Sequence, residues 1–189
     1  EGAFYNFQKL EEVVLPEGLK TIKDSAFFTC IRLKKINVPT SLRTIGASAF
    51  SETEFNAFSL ERVKKIGNMC FSGSKIKEVY LSKDCRTSSL VFWGSEDLKK
   101  VTIEKGVKKI SYGMFCDTAL KTIDIPGSVF QIGEDAFADC KKLQKVTLHE
   151  GIKKVGKNAF YNTSLKEITI PSTVTELGKN AFRWEAMEK

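Results

Sequence analysis

Apolar residues recur along this chain in a fixed order, with a period of 21 to 23 residues. A self-similar period of about 20 to 50 residues is the signature of architectures in which each unit stacks on its neighbours. The pattern therefore predicts a solenoid, a single array of about eight coils that occupies residues 1–189. Nine of the fourteen phenylalanines mark one phase of the period: Phe4, Phe27, Phe50, Phe71, Phe92, Phe115, Phe137, Phe160 and Phe182.

Each unit also contains a pair of apolar residues separated by one polar position. Alternation with a period of two, with many β-branched residues, predicts a short strand that buries one face. Stacked coil on coil, these strands would form a parallel sheet. All four prolines follow such a pair directly, where each would end a strand. The pairs are Val13/Leu15, Ile36/Val38, Phe58/Leu60, Val79/Leu81, Val101/Ile103, Ile123/Ile125, Val146/Leu148 and Ile168/Ile170.

A second apolar pair follows the predicted strand in most units, as in Leu42/Ile45 and Ile152/Val155. Glycine often comes directly afterwards, and glycine is favoured where a turn requires a positive φ. The sequence therefore predicts a tight turn with positive φ at these glycines, which are Gly46, Gly67, Gly133, Gly156 and Gly178.

The middle of the array, residues 51–92, departs most from the pattern. Glu61 stands at the proline position, Ser88 at the expected isoleucine and Ser89 at the expected glycine. One interpretation is local degeneration of a repeat that tolerates it. The other is a loop shaped for a partner.

The stacked columns give the pattern L-x-x-I-x-[IVL]-P-x-x-[LV]-x-x-I-G-x-x-A-F-x-x-[CT], which resembles the BspA-like class of leucine-rich repeats from Phe4 to Phe182. The resemblance implies a leucine-rich-repeat solenoid, a right-handed superhelix with a parallel β-sheet on its concave face and little regular helix. It also implies a cell-surface or secreted protein that adheres to host proteins or other cells. Because no atypical end cap is recognisable, we expect the chain to be a fragment of a longer array.

The composition limits the classes of function. No apolar stretch reaches the ~18 residues that a membrane helix needs, so we expect no membrane insertion in this segment. The net charge of +7 permits anionic partners. With a single histidine, His149, and no phosphate-binding or paired-cysteine motif, the sequence predicts no enzyme, cofactor or metal site.

The five cysteines are expected to be free thiols. Cys30 and Cys140 occupy the same column, three residues after a phenylalanine, but five coils apart. At ~4.8 Å per stacked strand they would be separated by roughly 24 Å, far beyond disulfide reach. Their column predicts small inward-facing donors that bond turn carbonyls.

The leading functional hypothesis is a protein-binding or adhesion module that uses the polar residues of the strand face. A mixed polar and charged face of this kind suits protein recognition. The candidate interaction surface is Lys34, Lys35, Lys77, Tyr80, Lys99, Lys100, Lys121, Lys145 and Lys166.

The alternative hypothesis is binding of an acidic polymer, such as a glycosaminoglycan or nucleic acid, through a basic row. Coil-spaced cations would release counterions together when such a polymer binds. A simpler interpretation is that these lysines only keep the surface of the stacked coils soluble. The row is Lys20, Arg43, Lys64, Arg86, Lys108 and Lys153.

Aromatic residues follow several of the phenylalanines of the repeat. They either cover the edge of the core, half-buried, or form a binding ridge. The residues are Tyr5, Phe28, Trp93, Tyr161 and Trp184.

Overall fold

The computed structural model describes residues 1–183, which form a parallel β-solenoid of about eight coils without α-helix. Fourteen short strands are present in these residues. In chain order they are β1 (Glu12–Val13), β2 (Thr21–Ile22), β3 (Lys35–Ile36), β4 (Thr44–Ile45), β5 (Lys65–Ile66), β6 (Glu78–Leu81), β7 (Arg86–Thr87), β8 (Lys100–Ile103), β9 (Lys109–Ile110), β10 (Thr122–Ile125), β11 (Gln131–Ile132), β12 (Lys145–Leu148), β13 (Lys154–Val155) and β14 (Glu176–Leu177).

The first strand face comprises β1, β3, β6, β8, β10 and β12, which lie at six of the eight predicted apolar pairs. They pair in parallel as β1 with β3, β6 with β8 and β10 with β12. The prediction is wrong at Phe58/Leu60 and Ile168/Ile170, where no strand forms. At the first site two bulky rings turn inward: Phe55 and Phe58 pack on Phe50 at centroid distances of 5.3 and 5.1 Å. Ile168 and Ile170 are only half-buried, so burial stabilises an extended strand less at this site.

The second strand face comprises the remaining eight strands, which include the second residue of the second apolar pairs, where the sequence analysis predicted no strand. They form two four-stranded parallel sheets, β2-β4-β5-β7 and β9-β11-β13-β14. These strands form because the second apolar residue of each pair stacks on its equivalent in the next coil, as Ile45 does on Ile66. Two-residue strands of this kind leave no room for the alternation that identifies a strand in sequence.

The pairing of β7 with β5 corrects the positions that the sequence analysis assigned within the irregular repeat. Thr87 pairs with Ile66 and Arg86 with Lys65. Thr87, not Ser88, therefore takes the isoleucine position, and Ser88 takes the position of glycine. Thr87 lies six residues after Leu81, whereas Ile110 lies seven residues after Ile103 in the following coil. This difference explains why the isoleucine position was expected one residue later.

The glycines after the second strand face are required for close approach, not for positive φ. None of the five has a φ in the left-handed region. A Cβ on Gly156 would lie 2.5 Å from the Glu134 amide nitrogen, and one on Gly133 would lie 2.8 Å from the Ser111 carbonyl carbon. The prediction of a positive-φ turn is therefore wrong, although the choice of residue has a steric cause.

Positive φ occurs instead two residues before and two residues after the recurring phenylalanine. In one coil, the amides of Asp135, Phe137 and Asp139 donate to carbonyls of the next coil at 2.8 to 2.9 Å. These hydrogen bonds offset the ~1–2 kcal/mol cost of a left-handed residue. The non-glycine residues in this conformation are Asn6, Ser25, Thr29, Ser48, Glu52, Met69, Leu90, Asp117, Asp135, Asp139, Asn158, Asn162 and Asn180.

The nine recurring phenylalanines, which share one phase of the repeat in the sequence, form one continuous stack along the solenoid axis. Successive rings lie 5.1 to 5.6 Å apart, centroid to centroid, and within about 20° of parallel. Phe27 is 2% exposed, and Phe115, Phe137 and Phe160 are completely buried. Each coil thus completes its core on the rings of its neighbours.

Small donors lie three residues after the phenylalanine, on the inner side of the turn. Thr53 Oγ1 donates to the Phe50 carbonyl at 2.7 Å, and Cys140 Sγ donates to the Phe115 carbonyl at 3.0 Å. All five cysteines are free in the structure, as predicted. Burial raises the pKa of the Cys140 thiol to about 11, which keeps it protonated as a donor near neutral pH.

Ser74 is the exception in this column, which leads to a prediction. Its Oγ is buried and has no hydrogen-bond partner among the described residues, whereas Ser95 Oγ donates to the Phe71 carbonyl at 2.8 Å. We expect Ser74→Ala to increase the free energy of unfolding by about 1 kcal/mol, because it removes an unpaired buried hydroxyl. Ser95→Ala, the matched control, should decrease it by about 1 kcal/mol. Urea denaturation of both variants measures the difference, and equal signs would contradict the assignment.

Candidate functional site

The nine residues of the predicted interaction surface are all exposed on the first strand face or its direct continuation. Two of their lysines form ion pairs across coils, Lys35 with Glu12 at 3.6 Å and Lys100 with Glu78 at 3.3 Å. Lys77 and Lys99 are direct neighbours, because the Lys99 amide donates to the Lys77 carbonyl at 2.9 Å. The structure thus brings the predicted residues together as rows with mixed charge.

A groove interrupts this face where the strand at Phe58/Leu60 is missing. It has a volume of about 460 Å³ and includes Tyr80 in its wall. The remaining lining is residues 56–61 with Lys77 and Glu78. The irregular middle of the array is therefore a depression in the first strand face, directly beside its exposed tyrosine.

Tyr80 is 41% exposed at the centre of this surface. Partial desolvation, followed by the Glu104 carboxylate, raises the pKa of the Tyr80 hydroxyl. Glu104 is itself held in place. Its carboxylate accepts a 2.9 Å hydrogen bond from the Lys83 amide and pairs with the Lys83 ammonium at 3.0 Å, which together lower the pKa of Glu104 to about 2. Tyr80 thus presents a protonated phenol beside a fixed carboxylate.

The predicted basic row lies on the second strand face and all its members are exposed. Lys64 pairs with Asp84 at 2.8 Å. Arg43 Nη1 donates to the carbonyls of Thr40 and Leu42 at 2.8 and 2.9 Å, which fixes its side chain without neutralising it. Arg86 corresponds in register to Lys65, so the row shifts sideways by one position there.

A second basic row, which the sequence interpretation missed, runs beside the first. Lys65, Lys109 and Lys154 are exposed and lie within the strands. Only Lys154 of these three has an ion-pair partner among residues 1–183, Glu176 at 2.7 Å. Recognition of the second apolar column as strand would have found this row, because Lys65, Lys109 and Lys154 each directly precede the buried residue of such a strand.

A trough of about 400 Å³ follows the other side of these rows. Its floor includes Gly46, Ala47 and Gly67, and its walls include hydroxyl and amide side chains. The walls are Thr21, Thr44, Asn68 and Ser88, with Lys23 and Lys65 as cations and with Glu1 and Asp24 at one end. The Asp24 carboxylate accepts a 2.8 Å hydrogen bond from the Ala47 amide, so a backbone group of the protein already binds this charge.

Few groups with catalytic potential come together in the described part of the chain. His149 Nε2 lies 2.7 Å from Asp124 Oδ1 in an exposed pair. Residues 1–183 contain no group of three or more histidine, cysteine or acidic residues placed to hold a metal ion. They also contain no helix that could span a membrane.

The aromatic residues after the phenylalanines do not form a continuous ridge. Tyr5 stacks on Phe28 at 5.5 Å, and Trp93 is 43% exposed at a distant coil. Serine, cysteine and alanine occupy intervening coils, as at Ser72 and Cys116. Trp184 lies outside the described residues.

The repeated coil, the parallel strand ladders and the continuous phenylalanine stack define a leucine-rich-repeat solenoid. The chain belongs to the family with the BspA type leucine rich repeat region, whose model matches six copies over residues 1–118 and 86–188. This confirms the resemblance in the repeat pattern.

Solved bacterial structures share this fold. A leucine-rich repeat protein from Bacteroides ovatus is 25% identical, with a TM-score of 0.67 over 97% of this chain and 60% of that one. A leucine rich cell surface protein from Faecalibacterium prausnitzii is 24% identical, with a TM-score of 0.67 over 92% and 58%. The T. pallidum leucine rich repeat protein is 22% identical, with a TM-score of 0.58 over 94% and 64%.

The chain thus spans less than two thirds of the length of each of these proteins. That the chain is a fragment of a longer array stays a prediction. A search of curated protein sequences finds no significant match.

Proposed function

We propose that the chain is a non-enzymatic protein-recognition module of a cell-surface or secreted protein, and that its first strand face contacts the partner. Repeat solenoids characteristically bind through extended surfaces of this kind. The description of the Faecalibacterium relative as a cell surface protein supports the location.

The observation that carries the proposal is the position of Tyr80 beside the groove at residues 56–61. Tyrosine is among the residues that most often dominate binding energy at interfaces, because it buries a large rigid ring and keeps a hydroxyl for a hydrogen bond. Tyr80 is 41% exposed, and the groove offers space for a partner side chain next to it.

The charged rows around Tyr80 fit the polar rim of an interface. Lys77 and Lys99 lie on one side, and the Glu78–Lys100 pair crosses between coils on the same face. Rim charges of this kind affect association rate and choice of partner more than affinity. The binding energy should therefore depend on Tyr80 far more than on any single lysine.

The experiment is surface plasmon resonance against an array of purified soluble extracellular proteins. For each protein that binds the wild type, Tyr80→Ala should weaken binding at least tenfold, about 1.4 kcal/mol. Lys99→Ala should change it less than threefold.

Tyr112→Ala is the matched control, because Tyr112 is similarly exposed, at 46%, but lies outside both strand faces. It should bind as the wild type does. Equal losses for Tyr80→Ala and Tyr112→Ala, or loss for neither, would reject the first strand face as the recognition surface.

A further inference from the structure

We propose that the second strand face binds a linear sulfated polysaccharide, which lies along the solenoid axis over the basic rows and the neighbouring trough. This function is separate from protein recognition by the first strand face. It rests on the charge of the face, on the shape of the trough and on the side chains that line it.

The cations of this face repeat at the spacing of the coils. Lys20, Arg43 and Lys64 stand in successive coils of one row, and Lys65 and Arg86 stand in successive coils of the row beside it. Neighbouring strands in such a ladder lie ~4.8 Å apart. Among residues 1–183, no ion pair involves Lys20, Lys65, Arg86, Lys108 or Lys109. Their charges are therefore available, and a partner with regularly repeated negative groups is the one that satisfies them together.

The first strand face carries a similar number of lysines but neutralises them differently. There Glu12 and Glu78 stand directly opposite Lys35 and Lys100 in the neighbouring strands. On the second strand face, the residues opposite Lys65 are Thr44 and Arg86. Cations that neighbour each other without an intervening acid occur on both faces, as at Lys77 and Lys99 on the first and at Lys65 and Arg86 on the second. The second strand face differs in that its cations lie beside the trough.

The trough gives a polymer chain a place beside these cations. Its floor is open at Gly46 and Gly67, which have no side chain and lie against the backbone of the preceding coil. Thr44, Asn68 and Ser88 offer hydroxyl and amide groups along its length. Such groups can donate and accept hydrogen bonds from sugar hydroxyls, while Lys65 reaches the same trough with its charge.

The lining favours a polysaccharide over a single-stranded nucleic acid. Sites for single strands combine a basic groove with aromatic side chains on which bases stack. The trough contains no aromatic residue. Its small polar lining matches a ligand whose uncharged surface consists of hydroxyls rather than of flat rings.

The probe is a size-defined heparin oligosaccharide, with single-stranded oligo-dT and hyaluronate as comparison ligands. We expect binding of the wild type to heparin to weaken steeply with salt, because several counterions are released together. The triple variant Lys65→Glu, Arg86→Glu, Lys109→Glu should bind heparin at least tenfold more weakly and show a shallower salt dependence.

The matched control is Lys77→Glu, Lys99→Glu, Lys121→Glu, which makes the same change in net charge on the first strand face. It should lose less than threefold in affinity for heparin. Circular dichroism and thermal unfolding establish that both triple variants are folded. Equal losses for the two variants would mean that only net charge matters, and would overturn the proposal.

A neutral substitution tests the trough independently of charge. Asn68 is exposed, and Asn68→Trp should fill the trough and weaken heparin binding about fivefold. The same change should leave oligo-dT binding equal or stronger, because it adds a ring for stacking. Wild-type affinity for oligo-dT equal to that for heparin, or unaltered heparin binding by Asn68→Trp, would overturn the assignment of the ligand as a sulfated polysaccharide.

Discussion

Phe115→Ala is expected to lower the free energy of unfolding by about 3–5 kcal/mol, the usual cost of deleting a buried phenyl ring. Phe115 is completely buried and stacks on Phe92 at 5.6 Å and on Phe137 at 5.4 Å. The variant therefore loses two ring contacts and leaves a cavity between two coils. In an array stabilised by contacts between neighbours, a weak central coil should also separate unfolding into two transitions. Urea denaturation followed by circular dichroism measures both effects.

Two further variants give reference values for the loss of unfolding free energy in Phe115→Ala. Phe115→Leu keeps most of the buried volume and should cost about 1.5 kcal/mol or less. Phe4→Ala removes a ring that is 38% exposed and has one stacking neighbour, so about 1 kcal/mol is expected. If Phe4→Ala costs as much as Phe115→Ala, the phenylalanine stack is not what joins the coils.

Gly156→Ala should have the second largest effect, a loss of about 3 kcal/mol. The added Cβ would lie 2.5 Å from the Glu134 amide nitrogen and 2.6 Å from the Gly133 carbonyl carbon. Both atoms belong to the backbone, so neither can move without separating β13 from β11. Overpacking of this kind costs about 1–3 kcal/mol, and the strain here falls on a ladder between coils. Thermal unfolding of the variant measures the loss.

Gly94→Ala distinguishes steric exclusion from backbone conformation. Gly94 has a φ of +68° and no atom within 4 Å of an added Cβ. Its replacement should cost only the left-handed strain of ~1–2 kcal/mol. Gly156→Ala should therefore be clearly less stable than Gly94→Ala, and the reverse order would contradict the close-approach explanation.

The core of the fold was predictable because the period is carried by large apolar residues. A misplaced Phe137 or Ile123 would expose a large apolar side chain, so their spacing is strict and visible in one sequence. The free cysteines followed from the same columns, since Cys30 and Cys140 could be counted as five coils apart.

The predictions that were wrong concern the backbone rather than the core. Strands of two residues, such as β4, show no alternation, so the sequence analysis did not predict the second strand face. Glycine has two uses, and the sequence cannot tell positive φ from close approach at Gly133. The real left-handed positions had a visible signal at seven of the nine recurring phenylalanines, an asparagine, aspartate or glycine two positions away, as at Asp139.

The sequence predicted which residues form the candidate surfaces, but it did not predict the shapes of those surfaces. The period predicted which residues belong to the rows through Lys77 and Lys64. Which side chains lie next to those rows depends on the geometry of the coils, which the sequence does not show. The groove beside Tyr80 arises because Phe55 and Phe58 fill the interior of their coil, a packing outcome that depends on both adjacent rings. The trough at Gly67 depends on how closely two coils approach.

The central claim, that one solenoid carries two separate binding faces, is tested most directly by a sequential capture experiment. The chain is captured on an immobilised heparin oligosaccharide and then exposed to an extracellular protein that binds the wild type. We predict that the protein binds the captured wild type, and that Tyr80→Ala is captured equally well but does not bind it. Heparin capture that blocks the protein, or loss of both interactions in folded Tyr80→Ala, would contradict the account.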